Sequence, residues 1–217
     1  TCNLHIANHF NNMNILLLTY NSKLKKETRE KAKKLGICNI EVHSYHSFCY
    51  KYYDNKCRND GVMRKIINNE IKPKMGLNFD IIIIDECQDM TPLYYELVWK
   101  IFTNNNKKDA YLCILGDKNQ SIYDFNQADE RFIVFADKLF TFNSKSWTKC
   151  NLSYSFRITH EMAEFINRCM LGTNRIKSSK VTDIKPRYII CDCFSKRFGS
   201  GGRAYSEVLY YINLGYS

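Results

Sequence analysis

The sequence predicts an α/β fold built on a parallel sheet, and three observations carry that prediction. Two short, continuously apolar runs, Ile81 to Ile84 and Ala110 to Leu115, suit strands covered on both faces. Helical segments alternate with strand segments along most of the chain. The 217 residues, 45% hydrophobic and 25% charged, suffice for an ordinary soluble globular core without staples, as one domain plus a remainder.

The elements follow in order. Residues 2–12 read as a helix, 14–19 (NILLLT) as a strand and 22–35 (SKLKKETREKAKKL) as a basic helix. A strand at 38–43 and a helix at 46–53 come next. Residues 54–78 are polar and mixed, with a helix at 61–71. Then come a strand at 79–85, a helix at 92–103 and a strand at 110–115. Helices fit 128–139, 158–171 and 205–213, and a strand fits 187–193. Such alternation predicts right-handed crossovers and a site at the carboxyl ends of the strands. Gly61, the cluster at 104–106 and the Gly199-Ser200-Gly201-Gly202 run mark loops.

Composition narrows the class. No apolar run approaches the ~20 residues of a membrane helix, and no secretory signal opens the chain. A net charge of +10 favours a polyanionic partner. Ten cysteines lie scattered from Cys2 to Cys193 without a C-x-x-C pair, which reads as reduced thiols in an intracellular protein, nuclear or cytoplasmic. Cys38, His43, His46 and Cys49 have zinc-compatible chemistry, but a helix starting near Tyr45 scatters them, so zinc is not expected. Cys191 and Cys193 sit in a strand reading and point to one face, as core packing does.

The most chemistry lies at the end of the first of these apolar runs. Ile81-Ile82-Ile83-Ile84-Asp85-Glu86 delivers two carboxylates to the sheet edge where α/β folds place ligands. In a nucleotide hydrolase the first carboxylate holds Mg²⁺ and the second, its proton affinity raised by burial, deprotonates the attacking water. Read locally, the same pair caps the following helix. A second strand ends similarly, at Cys113-Ile114-Leu115-Gly116-Asp117-Lys118-Asn119-Gln120-Ser121-Ile122-Tyr123. There Gly116 lets the backbone turn tightly, and Asp117 and Gln120 share the sheet edge.

Taken together, DECQD and GDKNQSIYDF resemble motifs II and III of UvrD/Rep-type superfamily 1 DNA helicases. Leu18-Thr19-Tyr20-Asn21 resembles motif Ia, and His43-Ser44-Tyr45-His46-Ser47-Phe48 resembles the family's TFHSF-like segment. Leu152-Ser153-Tyr154-Ser155-Phe156-Arg157 resembles motif IV. The five matches keep the family's order, and the short inserted region, with 37 residues between Ser47 and Asp85, resembles viral or F-box-helicase-like members.

The resemblance implies a first RecA-like ATPase domain of the P-loop NTPase class over 1–145, with 51–78 as a short insert, and the start of a second RecA-like domain over 146–217. It implies ATP hydrolysis with Mg²⁺, coupled to 3′-to-5′ movement on single-stranded DNA. Asp85 and the Thr1 hydroxyl would hold the metal, and Glu86 would be the base. Gln120 would sense the γ-phosphate, and Arg157 would act as an arginine finger, for which a planar, permanently charged group is suited. Tyr20, Asn21, His46, Tyr123 and Phe125 would contact the nucleic acid, mostly by stacking and phosphate positioning. The bland readings are a surface salt bridge for Arg157, core packing for the tyrosines and a solvated face for the Lys23–Lys34 helix.

The pattern also departs from the family. No G-x-x-x-x-G-K-[ST] loop occurs in the 217 residues, and motifs V and VI have no counterpart. Thr1 reads as the residue after a severed P-loop lysine, so a fragment with little turnover of its own is expected. Asp124-Phe125-Asn126-Gln127-Ala128 stands where relatives carry Gly-Phe/Trp-Arg-Gly-Ala, which removes an arginine near DNA. The rival reading is a catalytically inactive module that binds single-stranded nucleic acid.

Overall fold

The apolar runs form the strands. The computed structural model describes residues 2–121, 128–182, 185–186 and 202–215. Four strands, β1 (Ile15–Thr19), β2 (Ile40–Ser44), β3 (Ile81–Ile84) and β4 (Tyr111–Ile114), make one sheet in the order β2-β1-β3-β4. Every pairing is parallel. Leu17 lies between Val42 and Ile83, and Ile83 in turn opposes Cys113. The sheet belongs to the first of two compact units, Thr1–Trp147 and Thr148–Ser217.

Period-two alternation sends neighbouring side chains to opposite faces, and in the central strands both faces are buried. Leu16, Leu18, Ile82 and Ile84 join a large core with Phe48, Leu97 and Ile101. Ile15, Leu17, Ile81 and Ile83 join a smaller one with Ala7 and Val42. This explains why β3 can be four isoleucines in succession. β4 corrects the sequence reading: it stands at the end of the four-strand order, Tyr111 is exposed and its other residues are only half-buried. An apolar run therefore forms a strand here without being covered on both faces.

Local side-chain chemistry sets the helix starts. α1 (Cys2–His9) precedes β1, and α2 (Ser22–Lys34) follows it, with Asn21 Oδ1 accepting from Leu24 N at 2.8 Å. α3 (Tyr45–Tyr52) starts immediately after β2 in a capping box between Ser44 and Ser47. α4 (Asp60–Asn68) is capped by Asn59, which places Gly61 inside its first turn and not in a loop. α5 (Pro92–Asn104) is capped by Thr91, with Pro92 at its first position, where a missing N–H costs nothing. Beyond it Asn105 is fully buried and pairs with both backbone groups of Phe79, tying the end of α5 to the approach to β3.

Two further elements differ from the sequence reading. The helix expected at 128–139 is two short ones, α6 (Arg131–Val134) and α7 (Ala136–Leu139), because Phe135 leaves helical dihedrals. There the Tyr95 hydroxyl donates to Leu139 O at 2.7 Å, and its ring packs on Phe132 and Phe140. In the second unit the helix expected at 158–171 is α8 (His160–Phe165) followed by a π-helical stretch, Ile166–Leu171. The buried Asn167 side chain there accepts from Arg175 N and Ile176 N and donates to Ile176 O. α9 (Arg203–Asn213) is close to the expected helix, while the strand read at 187–193, with Cys191 and Cys193, lies outside the described residues. No helix among the described residues is long and apolar enough to cross a membrane.

Candidate functional site

Parallel strands deliver their carboxyl ends to one edge, and every motif of the first unit arrives there. β1 ends in Thr19 and leads into Tyr20 and Asn21, β2 runs into Ser44 to His46, and β3 leads directly into Asp85 and Glu86. β4 leads into Gly116, Asp117 and the 3-10 turn Lys118–Gln120. The following helix takes its cap from Thr91, so Asp85 and Glu86 are not spent on capping.

Each carboxylate is held by a buried amide. Asp85 Oδ2 accepts from Asn3 Nδ2 at 2.7 Å, and Asn3, on α1, is buried. Burial pushes the Asp85 carboxyl above the ordinary carboxylate range; the Asn3 hydrogen bond opposes this and the Glu86 charge adds to it. Glu86 has φ 55° and ψ 47°, a left-handed conformation that costs a non-glycine residue about 1–2 kcal/mol. Strain of this kind concentrates at functional sites. Glu86 Oε2 accepts from Gln88 Nε2 at 2.7 Å, while Gln88 Oε1 accepts from Asp117 N at 3.1 Å. Gln88, 2% exposed, thus joins the end of β3 to the end of β4.

Gly116 serves this junction in a way its turn-forming character did not reveal. A Cβ there would lie 2.5 Å from Gln88 Oε1, 2.7 Å from Ile133 Cδ1 and 3.0 Å from Cys87 N. Its φ is not positive, so close approach and not turn geometry requires the glycine. Gln120 Nε2 donates to Asp117 Oδ2 at 3.3 Å, which keeps the expected γ-phosphate sensor beside the same turn. Asp89 completes the acidic edge: it is buried and pushed up to about 6, by burial first and the Glu86 charge second.

Oxygen donors dominate, as a hard divalent cation requires. Two buried acceptors in these segments, Asn3 Oδ1 and Asp89 Oδ1, have no hydrogen-bond partner among the described residues. No cluster of three His, Cys, Asp or Glu side chains among the described residues could hold a metal ion. Mg²⁺ does not need one, because it is commonly held by one or two carboxylates with water and substrate phosphates completing its shell. The residues present therefore fit Mg²⁺ bound with a nucleotide.

Aromatic rings gather beside the carboxylates. Tyr45, buried and close enough to Asp85 to feel its charge, stacks on Tyr94 at 4.2 Å and 8°. Tyr20 and His46 meet Tyr94 edge-on at 6.4 and 6.0 Å. His46 Nε2 also lies 2.9 Å from Asp60 Oδ1. His43 pairs with Glu41 at 3.2 Å and Cys38 Sγ lies on Gly36 O, so these candidate zinc ligands face separate partners. Asn21 spends its side-chain oxygen on the α2 cap. Thr1, Tyr123 and Phe125 lie outside the described residues.

Arg157 belongs to the second unit. Its backbone N–H donates to Ser155 Oγ at 3.3 Å, and the side chain is exposed. Among the described residues it makes no ion pair. Nearby, Tyr154 and Phe156 pack ring to ring at 5.1 Å, and backbone bonds link Ser153 and Ser155 to Lys177.

The DECQD motif contains Gln88, yet sequence reasoning gives that residue no role, and it passes over Asn3 and Tyr94. The available signals are faint: a polar residue amid buried neighbours at Gln88, and an amide on the same helix face as Ala7 at Asn3.

Residues 57–141 match the UvrD/REP helicase N-terminal domain and include Asp85, Glu86, Gln88 and Gln120. The chain is 32% identical over 89 residues to an ATP-dependent helicase/nuclease protein of Staphylococcus carnosus, which is 41% of this chain and 7% of that protein. It is 30% identical over 95 residues to the F-box DNA helicase protein 1 of Schizosaccharomyces pombe, covering 44% of this chain and 10% of the relative. A probable DNA helicase II homolog of Mycoplasma capricolum is 27% identical over 113 residues, 52% of this chain and 14% of the relative. The matches thus span about a tenth of these relatives' length. In motif order, sheet topology and these matches the chain resembles the UvrD/Rep-type helicases, and its residues 57–141 match the UvrD/REP helicase N-terminal domain.

Proposed function

We propose that this chain provides the ATP-hydrolysing edge of a UvrD/Rep-type translocase, which couples Mg²⁺-dependent ATP hydrolysis to 3′-to-5′ movement on single-stranded DNA. One observation carries the reading: Asp85 and Glu86 stand at the carboxyl end of a fully buried parallel strand, and Gln88 bridges Glu86 to the Asp117–Gln120 turn of the next strand. Bound Mg²⁺ would supply charge neutralisation at the phosphates. The oxygens of Asp85, joined by the Thr1 hydroxyl, would hold it, while Asn3 fixes the Asp85 carboxylate. Glu86 takes the proton of the attacking water, and its left-handed backbone sets the direction of its carboxylate. Gln120 reads the γ-phosphate, and Arg157 stabilises developing charge. Tyr20, Asn21, His46, Tyr123 and Phe125 contact the nucleic acid, where base stacking contributes ~1–3 kcal/mol per base without regard to sequence.

The test begins with the gene on both sides of this segment. A coding stretch that ends in Gly-Lys before Thr1, together with a second RecA-like half after Ser217, supports the reading. DNA-stimulated ATP hydrolysis by the encoded protein, lost at least a hundredfold in Glu86→Gln, completes it. Binding of a labelled oligo(dT) without DNA-stimulated hydrolysis leaves the non-catalytic binding module in its place.

A further inference from the structure

We infer that Gln88 is a positioning residue that locks the Glu86 carboxylate to the Asp117–Gln120 turn, so that the two strand ends move as one body. The inference rests on the reading of Glu86 as the base and adds what orients it. Gln88 is 2% exposed, and its carboxamide is used at both ends. Nε2 donates to Glu86 Oε2 at 2.7 Å, and Oε1 accepts from Asp117 N at 3.1 Å.

An amide is suited to this link because it offers a donor and an acceptor on one rigid plane. A carboxylate at the same place would repel Glu86, and a hydrocarbon would bond neither side. The surroundings fix the amide in place. A Cβ at position 116 would sit 2.5 Å from Gln88 Oε1, so the bare glycine backbone is what lets the oxygen reach the Asp117 amide. Cys87 N donates to Leu115 O at 3.0 Å, a second tie between the same two segments. Gln120 in turn donates to Asp117 Oδ2. A hydrogen-bonded path therefore runs from Gln120 through Asp117 and Gln88 to Glu86. A displacement of the Gln120 turn reaches the Glu86 carboxylate through Gln88.

The experiment uses the ¹⁵N-labelled chain without nucleotide or DNA and follows the Asp117 amide by NMR. Glu86→Gln should shift that resonance in the native background and leave it unmoved in a Gln88→Leu background. Gln88→Leu should also lower exchange protection of the Asp117 amide about tenfold, the equivalent of one hydrogen bond, while amides of β1 and β3 stay protected. Gln88→Glu keeps the acceptor and loses the donor, so it should retain Asp117 protection yet lose the response to Glu86→Gln; it carries the test if Gln88→Leu does not fold. A Glu86→Gln response that persists in either background overturns the inference, as does an Asp117 amide indifferent to Gln88→Leu. Absent ATP turnover with the bridge intact removes the proposed function alone. A broken coupling with turnover intact removes only the role given to Gln88.

Discussion

Replacing Gly116 with alanine tests how tightly the two strand ends are packed. The added Cβ meets three atoms at 2.5, 2.7 and 3.0 Å, where ordinary contact begins near 3.4 Å. Ile133 Cδ1 can yield by leaving its rotamer, at about 0.5–1.5 kcal/mol. Gln88 Oε1 can yield only by releasing the Asp117 amide, at about 1 kcal/mol. Cys87 N is backbone and itself bonded to Leu115 O, so it does not yield independently. With residual overpacking, the folded state loses about 2–4 kcal/mol. Stiffening of the unfolded chain returns about 0.4–1 kcal/mol, because φ at Gly116 is not positive. The net loss is about 1.5–3 kcal/mol, read as a lower midpoint in urea unfolding followed by circular dichroism. In a Gln88→Ala background the Cβ gains room, so the cost of Gly116→Ala should fall by about 1 kcal/mol, a coupling expected of residues in contact. An unchanged or higher midpoint for Gly116→Ala would refute the packing argument, and strict additivity would show that Gln88 is not the group being displaced.

Two further outcomes concern ionisation. Asp89 is raised from the ordinary 3.8 to about 6, so its contribution to stability is complete below pH 3.8 and is lost as pH rises through 6. Asp89→Asn should therefore stabilise the chain at pH 7.5 by at most ~3 kcal/mol and show no gain at pH 3.5 in paired thermal melts; an equal gain at both values would point to a cause other than charge burial. Glu41 is held at about 2, by its His43 hydrogen bond first and by Lys51 and Tyr52 as well, so its contribution is present above pH 4.5 and is lost as pH falls toward 2. Glu41→Gln should lower the melting temperature at pH 7, and the deficit should close near pH 2; a deficit that does not change with pH would mean that lost packing, not the ion pairs, is responsible.

The sequence by itself determined the strands, their parallel arrangement and the edge at which Asp85, Glu86 and Gln120 stand. Continuous apolar runs such as Ile81 to Ile84 have few options other than a covered strand, and parallel crossovers bring all carboxyl ends to one side. Asp85, Glu86 and Gln120 were legible because each directly follows a strand or its turn. Tertiary structure decided what those residues touch. The bond from Asn3 to Asp85 spans 82 positions and that from Gln88 to Asp117 spans 29. No local pattern encodes such separations. Tertiary packing also left β4 only half-buried, split the 128–139 helix at Phe135 and turned 166–171 into a π-helix around Asn167. Hydropathy and periodicity report what a residue prefers over a few neighbours, whereas burial and hydrogen-bond partners depend on which distant segments arrive beside it.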